Sequence, residues 1–355
     1  MHALRPVRGV GAWSSMATLV AFACGCSRDR KGAVPLVYAS DEESGAVVAI
    51  DPSRAVAVAR IPVGSHPREV KMSRDGARLY VALSASPATR RTGPSFDEPE
   101  RLDHSTDGIG VVDLAKRELV MTLPSGPDPA GFDITPDGRT LFASNGVTAR
   151  LSAVDLLSGK MRGAATVGVE PEGVAVRPDG KVVFVASEHD GEVSVVDVTT
   201  LAVTSHIPAG RRPRTIVFSP DGATAFVTDE AGARVMVLDA VHFAPLGDIP
   251  VHEDSPMPSG PRPMGEALSP DGKLLYVTCG RGGSVAVIDV ATRKQVRSID
   301  GVGDRPWGIA QSADGAVLFT ANGTSHDVSV VDVASGNVER RVTIGGAPWG
   351  IAAAK

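Results

Sequence analysis

"PEGVAVRPDGKVVFVASEHDGEVSVVDV", residues 171–198, lines up without a gap against "PRTIVFSPDGATAFVTDEAGARVMVLDA", residues 213–240. Each copy runs from a leading Pro through an apolar stretch to Pro-Asp-Gly. An aromatic-Val pair follows, then a Val-rich stretch that closes on Asp. Residues 171–210 read as four strands, "GVAVR", "KVVFVAS", "EVSVVDV" and "VTSHIPAG". Short apolar runs and apolar–polar alternation are the pattern of buried and half-buried strands. Pro-Asp-Gly joins the first strand to the second, because Pro presets φ at the first central position of a turn and Gly accepts a positive φ after it.

The leading Pro recurs at Pro67, Pro129, Pro171, Pro213, Pro263, Pro306 and Pro348, at intervals of 62, 42, 42, 50, 43 and 42. The Asp that closes the third strand recurs at Asp51, Asp113, Asp155, Asp197, Asp239, Asp289 and Asp332. The period is therefore 42 residues with two insertions, near 84–108 and 252–262. Every second strand carries one aromatic: Tyr38, Tyr80, Phe142, Phe184, Phe226, Tyr276 and Phe319. A stripe at a fixed repeat position is expected to pack blade against blade. Seven four-stranded units predict an all-β fold, a seven-bladed β-propeller of antiparallel blades. "LVYAS" is a second strand with no first strand before it, and "PWGIAAA" is a first strand with no second after it. The closing blade is thus expected to combine the C-terminal strand with three N-terminal ones, which removes the open sheet edges.

"SPDGKLLYVTCGRGGSVAVIDVATRKQVRSI", residues 269–299, resembles the YVTN-type β-propeller repeat family, named for the "YVT" found here at Tyr276–Thr278. The resemblance covers roughly residues 35–355. It implies the propeller fold, which secreted and surface proteins share with cofactor-bearing redox proteins and lactonases. It does not imply one activity.

The net charge of −5 and pI near 5.9 argue against a general nucleic-acid binder, and no nucleic acid is expected as partner. Arg5 and Arg8 precede an uncharged run from Gly9 to Gly25, the pattern of a secretory signal. "FACGCS" places a small residue before Cys26, and Ala23 before Cys24, as in a bacterial lipobox. The expectation is a lipoprotein-type signal over 1–25, a lipid on Cys26 or Cys24, a linker over 26–34 and a periplasmic or cell-surface propeller over 35–355. Cys279 is the one other cysteine, so no disulfide within the domain, metal cluster or covalent haem is expected. No cofactor or metal is expected at all. His104, His189, His252 and His326 fall on different blades, without ligand spacing.

Both insertions map to one face of the ring, together with the loops before each leading Pro. Just before Pro stand His66, Asp128, Glu170, Arg212, Arg262, Arg305 and Ala347; just after it stand Arg68, Ala130, Glu172, Arg214, Met264, Trp307 and Trp349. These residues are expected to ring the channel mouth. Asp128, Glu170 and Glu172 form an acidic sector, and Arg212, Arg214, Arg262 and Arg305 a basic one beside the two Trp. Arg and Trp side by side suit anions, sugars or partner side chains. Three residues after each Pro, Glu266 is the one charged residue among Val70, Phe132, Val174, Ile216, Ile309 and Ile351. It is expected to be an acid/base group, or else to pair with Arg262 and hold the insertion. The leading expectation is a monomeric, non-enzymatic binding protein that docks an envelope protein or polymer through this face, with Trp307, Trp349, Arg212, Arg214, Arg262, Arg305, Glu170 and Glu172 as contacts. The alternatives are a lactonase-type hydrolase at the channel mouth, with Glu266 as its catalytic residue, and a redox accessory protein.

Overall fold

The computed structural model describes residues 35–87, 102–252 and 260–354. The signal, lipidation and linker readings, and most of both insertions, lie outside the described residues. Seven four-stranded antiparallel sheets form the ring. Blade 1 orders its strands as Pro348–Ala353, Val37–Asp41, Ala46–Asp51 and Val56–Pro62, so the C-terminal strand closes the circle against three N-terminal ones. Blade 4 is the unmodified unit: Pro171–Val176, Val182–Ser187, Glu192–Asp197 and Val203–Pro208. We call the four strands of every blade A to D. The A strands of blades 2, 3, 5, 6 and 7 are Pro67–Met72, Pro129–Ile134, Pro213–Phe218, Pro263–Leu268 and Pro306–Gln311. A strands of successive blades touch one another around the whole ring, so they line its axis.

Seven apolar clusters fill the seven seams between blades. Each takes one strand-B aromatic from one blade and aliphatic residues from the next. Phe184, for example, packs with Ala225, Val227 and Leu238. The Gly of each Pro-Asp-Gly or related A–B turn has φ between 69° and 71°, as at Gly76 and Gly138, a conformation in which any side chain is strained.

Every A strand is bulged. Pairing with strand B skips the two residues after the leading Pro and resumes at the third, as between Pro171 and Val174 and between Pro263 and Glu266. Where the second skipped residue is Gly, the bulge sets it against the backbone of the next blade. A Cβ on Gly173 would lie 2.2 Å from the Arg214 carbonyl oxygen, and one on Gly265 would lie 2.3 Å from that of Trp307. At these two positions only Gly fits so close an approach. Buried hydroxyls from strand B cap the same carbonyls: Ser40 Oγ donates to Arg68 O at 2.6 Å, and Ser144 Oγ to Glu172 O at 2.7 Å.

Candidate functional site at the channel mouth

The bulges gather the residues flanking the seven prolines around an axial cavity of about 160 Å³, lined by Glu69, Glu172, Arg214, Glu266, Trp307 and Trp349 among others. Of the residues just before Pro, His66, Asp128, Glu170, Arg262 and Arg305 have φ between 36° and 56°. Left-handed backbone recurs at non-Gly residues in other turns of the ring, such as Ala55, Arg117, Leu201, Phe243 and Arg293, so at the mouth it is a turn of the repeat that aims the residue before Pro.

The charge on the mouth is paired rather than sectored, which corrects the expectation of separate acidic and basic arcs. Arg214 is buried among three carboxylates. Its Nη1 lies 2.6 Å from Glu188 Oε2 and 3.5 Å from Glu172 Oε1, and its Nε lies 2.8 Å from Glu230 Oε2. Arg212 bonds Glu188 and stands 3.5 Å from Glu230. Arg262 reaches Glu230 at 3.5 Å, not Glu266. On the other side, Arg68 pairs with Asp128 at 3.1 Å, both buried. Burial raises the proton affinity of Glu188, with Arg214 opposing the rise and Glu172 adding to it. Sequence reasoning missed Glu188 and Glu230. Both stand four residues past the strand-B aromatic, as does Glu42. Three Glu at one repeat position was the available signal.

Gly280 and Gly323 occupy that same position in blades 6 and 7. A Cβ on Gly323 would meet Trp307 Nε1 at 2.7 Å, so the indole lies against this Gly. Trp307 stacks on Trp349, with ring centroids 4.0 Å apart and planes at 25°. The Arg305 guanidinium stands 4.8 Å over the other indole's centre, that of Trp307. Desolvation lowers the proton affinity of Arg305, and Arg281, Arg214 and Arg212 add to this while Glu230 opposes it. The mouth therefore presents an aromatic stack with Arg305 over it, and neither Arg305 nor Arg281 meets a carboxylate in an ion pair among the described residues. Glu170 belongs to the same rim, on the left-handed residue before Pro171.

Glu266 sits in the wall of the cavity with both carboxyl oxygens buried, and no group among the described residues meets either oxygen at full hydrogen-bond geometry. Arg262, expected as its alternative partner, is engaged elsewhere. Burial pushes the Glu266 carboxyl well above its ordinary value of 4.5, and the nearby Thr215 hydroxyl and Val217 backbone offset this only in part. The native state thus keeps a proton that the unfolded chain loses above the usual carboxylate range. Stability should fall as pH rises beyond about 4.5. Glu266→Gln is expected to abolish that slope and to be more stable than the wild type at pH 8, as measured by urea unfolding at pH 6 and pH 8.

Among the described residues no three His, Cys, Asp or Glu side chains converge on a metal-sized site. Cys279 is buried. His104, His189 and His326 remain on separate loops.

The family model described as lactonase, 7-bladed beta-propeller, matches residues 197–345. That span carries Arg212, Arg214, Glu230, Arg262, Glu266, Arg305 and Trp307. No curated protein matches the sequence. Among solved structures, hydrazine synthase from Kuenenia stuttgartiensis aligns with a TM-score of 0.70 at 19% identity, covering 84% of this chain and 93% of that one. A candidate 6-phosphogluconolactonase from Bacteroides fragilis aligns with a TM-score of 0.69 at 15% identity, covering 91% and 98%. Another from Bacteroides uniformis gives 0.68 at 18% identity, covering 90% and 99%. At these identities the likeness is one of fold, and what the chain is similar to over residues 197–345 is a lactonase-type seven-bladed propeller.

Proposed function

We propose that the protein is a hydrolase that opens a lactone ring at the channel mouth. The observation that carries this reading is Glu266. A buried carboxyl whose oxygens find no well-formed hydrogen bond among the described residues is costly to the fold, and it stands where six other blades place an apolar residue. Such a group in a cavity wall suits proton transfer. The lactonase match over the segment that holds it favours hydrolysis over a docking scaffold. The Trp pair also stacks on itself instead of presenting two separate anchors.

In the reaction, water adds to the lactone carbonyl and the acyl–oxygen bond of the ring breaks. The ring oxygen leaves as a hydroxyl and a hydroxy acid remains. The Trp307–Trp349 stack offers a face for the sugar ring, and Arg305 with Arg281 a place for an anionic substituent. Glu266, protonated in its apolar seam, supplies the proton that the departing oxygen needs. The names of the two Bacteroides proteins make a phosphorylated aldonolactone the first substrate to try.

The test is a panel of glucono-1,5-lactone, its 6-phosphate and acyl-homoserine lactones, followed by acid release. The wild type should exceed spontaneous hydrolysis on at least one. Glu266→Gln should lower kcat by about 10²–10⁴-fold, the usual contribution of a positioned acid or base. Equal rates for the wild type and Glu266→Gln on every lactone would sink the reading.

A further inference from the structure

Residues that break a repeat are ones the fold does not require. Two positions after the leading Pro, the seven blades carry Glu69, Gly131, Gly173, Thr215, Gly265, Gly308 and Gly350. Four positions after it they carry Lys71, Asp133, Ala175, Val217, Ala267, Ala310 and Ala352. The three charged exceptions converge. Lys71 Nζ lies 3.4 Å from Glu69 Oε1 and 3.1 Å from Asp133 Oδ1. Asp133 Oδ2 accepts the Val176 N–H at 2.8 Å, and Glu69 Oε2 accepts the Phe132 N–H at 3.3 Å. Glu69 lines the same axial cavity as Glu266. Its side chain keeps 31% of its exposure on that axis. The two carboxyls belong to blades 2 and 6, so they stand three blades apart one way round the ring and four the other.

Their surroundings differ. Glu69 faces Lys71 on its own strand and Asp133 on the neighbouring A strand, and Tyr80 on strand B pairs with Lys71. The A strand on its other side, Pro348–Ala353, brings no titratable group. Glu266 faces Thr215 and the Val217 backbone of Pro213–Phe218, whose Arg214 is bound to three Glu. Tyr276 and Cys279 stand on its partner strand, and Pro306–Gln311 brings no titratable group. One carboxyl has an ammonium beside it and the other has none.

We infer that Glu69 is a second catalytic carboxylate of this cavity: it takes the proton of the attacking water while Glu266 gives one to the departing ring oxygen. This rests on the lactone reading. The step balances. Water loses a proton to Glu69 as its oxygen bonds the carbonyl carbon, the ring carbon–oxygen bond breaks, and the ring oxygen gains the proton of Glu266. Glu69 then returns a proton to Glu266 through water. Burial raises the proton affinity of Glu69, Lys71 opposes this and Asp133 adds to it, which makes the ionised group a stronger base. Lys71 and Asp133 are positioning residues. A carboxyl with an ammonium 3.4 Å away, across a cavity from a carboxyl buried without one, is the kind of contrast from which acid–base pairs are built.

The test compares the full-length wild type, Glu69→Gln, Glu69→Asp and Glu266→Gln on glucono-1,5-lactone and its 6-phosphate across pH 5–9. Glu69→Gln should lower kcat about 10²-fold or more while KM stays within about twofold. It should also erase the acid limb of the kcat/KM profile, whereas Glu266→Gln should erase the alkaline limb. Glu69→Asp keeps the charge beside Lys71 and controls for folding; it should retain the acid limb at a lowered kcat. A wild type that turns over lactone, with Glu69→Gln matching its rate and profile, overturns the inference and leaves the hydrolase reading standing. A wild type without turnover on these two lactones or on acyl-homoserine lactones overturns both. Carboxyl ¹³C shifts give a check independent of activity: at pH 7 Glu69 should be ionised and Glu266 protonated, and a shared state would overturn the assignment.

Discussion

A chain ending at residue 347 is expected to lose the cooperative fold of the ring. Strand Pro348–Ala353 pairs with Val37–Asp41 through Val37 with Ala353, Tyr38 with Ala352, Ala39 with Ile351 and Asp41 with Pro348. It also packs against the A strands on both sides, Pro306–Gln311 and Pro67–Met72. Its removal takes Ile351 from the seam that holds Val37, Val48 and Phe319. It also takes Trp349 from Trp307. The Ser40 hydroxyl loses the Gly350 N–H that it accepts at 2.8 Å. Five buried residues of Val37–Asp41 would become an open sheet edge. Truncating one buried Ile costs about 2–5 kcal/mol. A whole inner strand costs several times one such residue, which meets the 5–15 kcal/mol that typically separates folded from unfolded domains. Thermal unfolding followed by circular dichroism should show no cooperative transition, and an added peptide of residues 348–355 should restore one by strand addition. A transition within a few degrees of wild type, without peptide, would show that six blades and a gap suffice.

That closure was legible in the sequence because the ring states the same requirement seven times. Each seam takes one strand-B aromatic, each A–B turn takes a Gly, and five of the seven inner bulges take a Gly beside the next blade's carbonyl. A constraint repeated at a period of 42 residues is visible without coordinates. Glu266 was legible for the converse reason, as the exception among six apolar residues at its position. Its surroundings were not. Arg262 is four residues away in sequence, yet the left-handed backbone before Pro263 sends it to Glu230 instead. The division of the mouth into charged arcs failed because it considered only residues flanking each Pro. Glu188 and Glu230 arrive from the loops after strand B, and they neutralise Arg212 and Arg214 from a repeat position that reads as ordinary loop. Lys71 and Asp133 share one repeat position on adjacent blades. Once the A strands are known to touch, that register alone brings them together.

Arg214→Ala is expected to destabilise the protein by about 3–5 kcal/mol at pH 7, the range found when one partner is removed from a buried ion network. The Arg214 side chain is 8% exposed, and those of Glu172, Glu188 and Glu230 are 10%, 9% and 12% exposed. Its guanidinium is forked, so one planar group serves three carboxylates from two directions. With it gone, Arg212 and Arg262 still reach Glu188 and Glu230, but three buried negative charges then share two cations that are more exposed. In the variant the burial that raises the proton affinity of Glu188 would lose the opposition of Arg214. The native protein would then bind more protons, so its stability should climb as pH falls from 8 toward 5. Arg214→Lys restores a charge but not the fork and should recover only part of the loss. Adding Glu188→Gln to Arg214→Ala should recover part as well, and the double-mutant cycle would measure their coupling directly. Urea unfolding of the four proteins at pH 5 and pH 8 decides the matter. If Arg214→Ala costs under about 1 kcal/mol at pH 8, the network is a solvated rim, because that is the scale of exposed ion pairs.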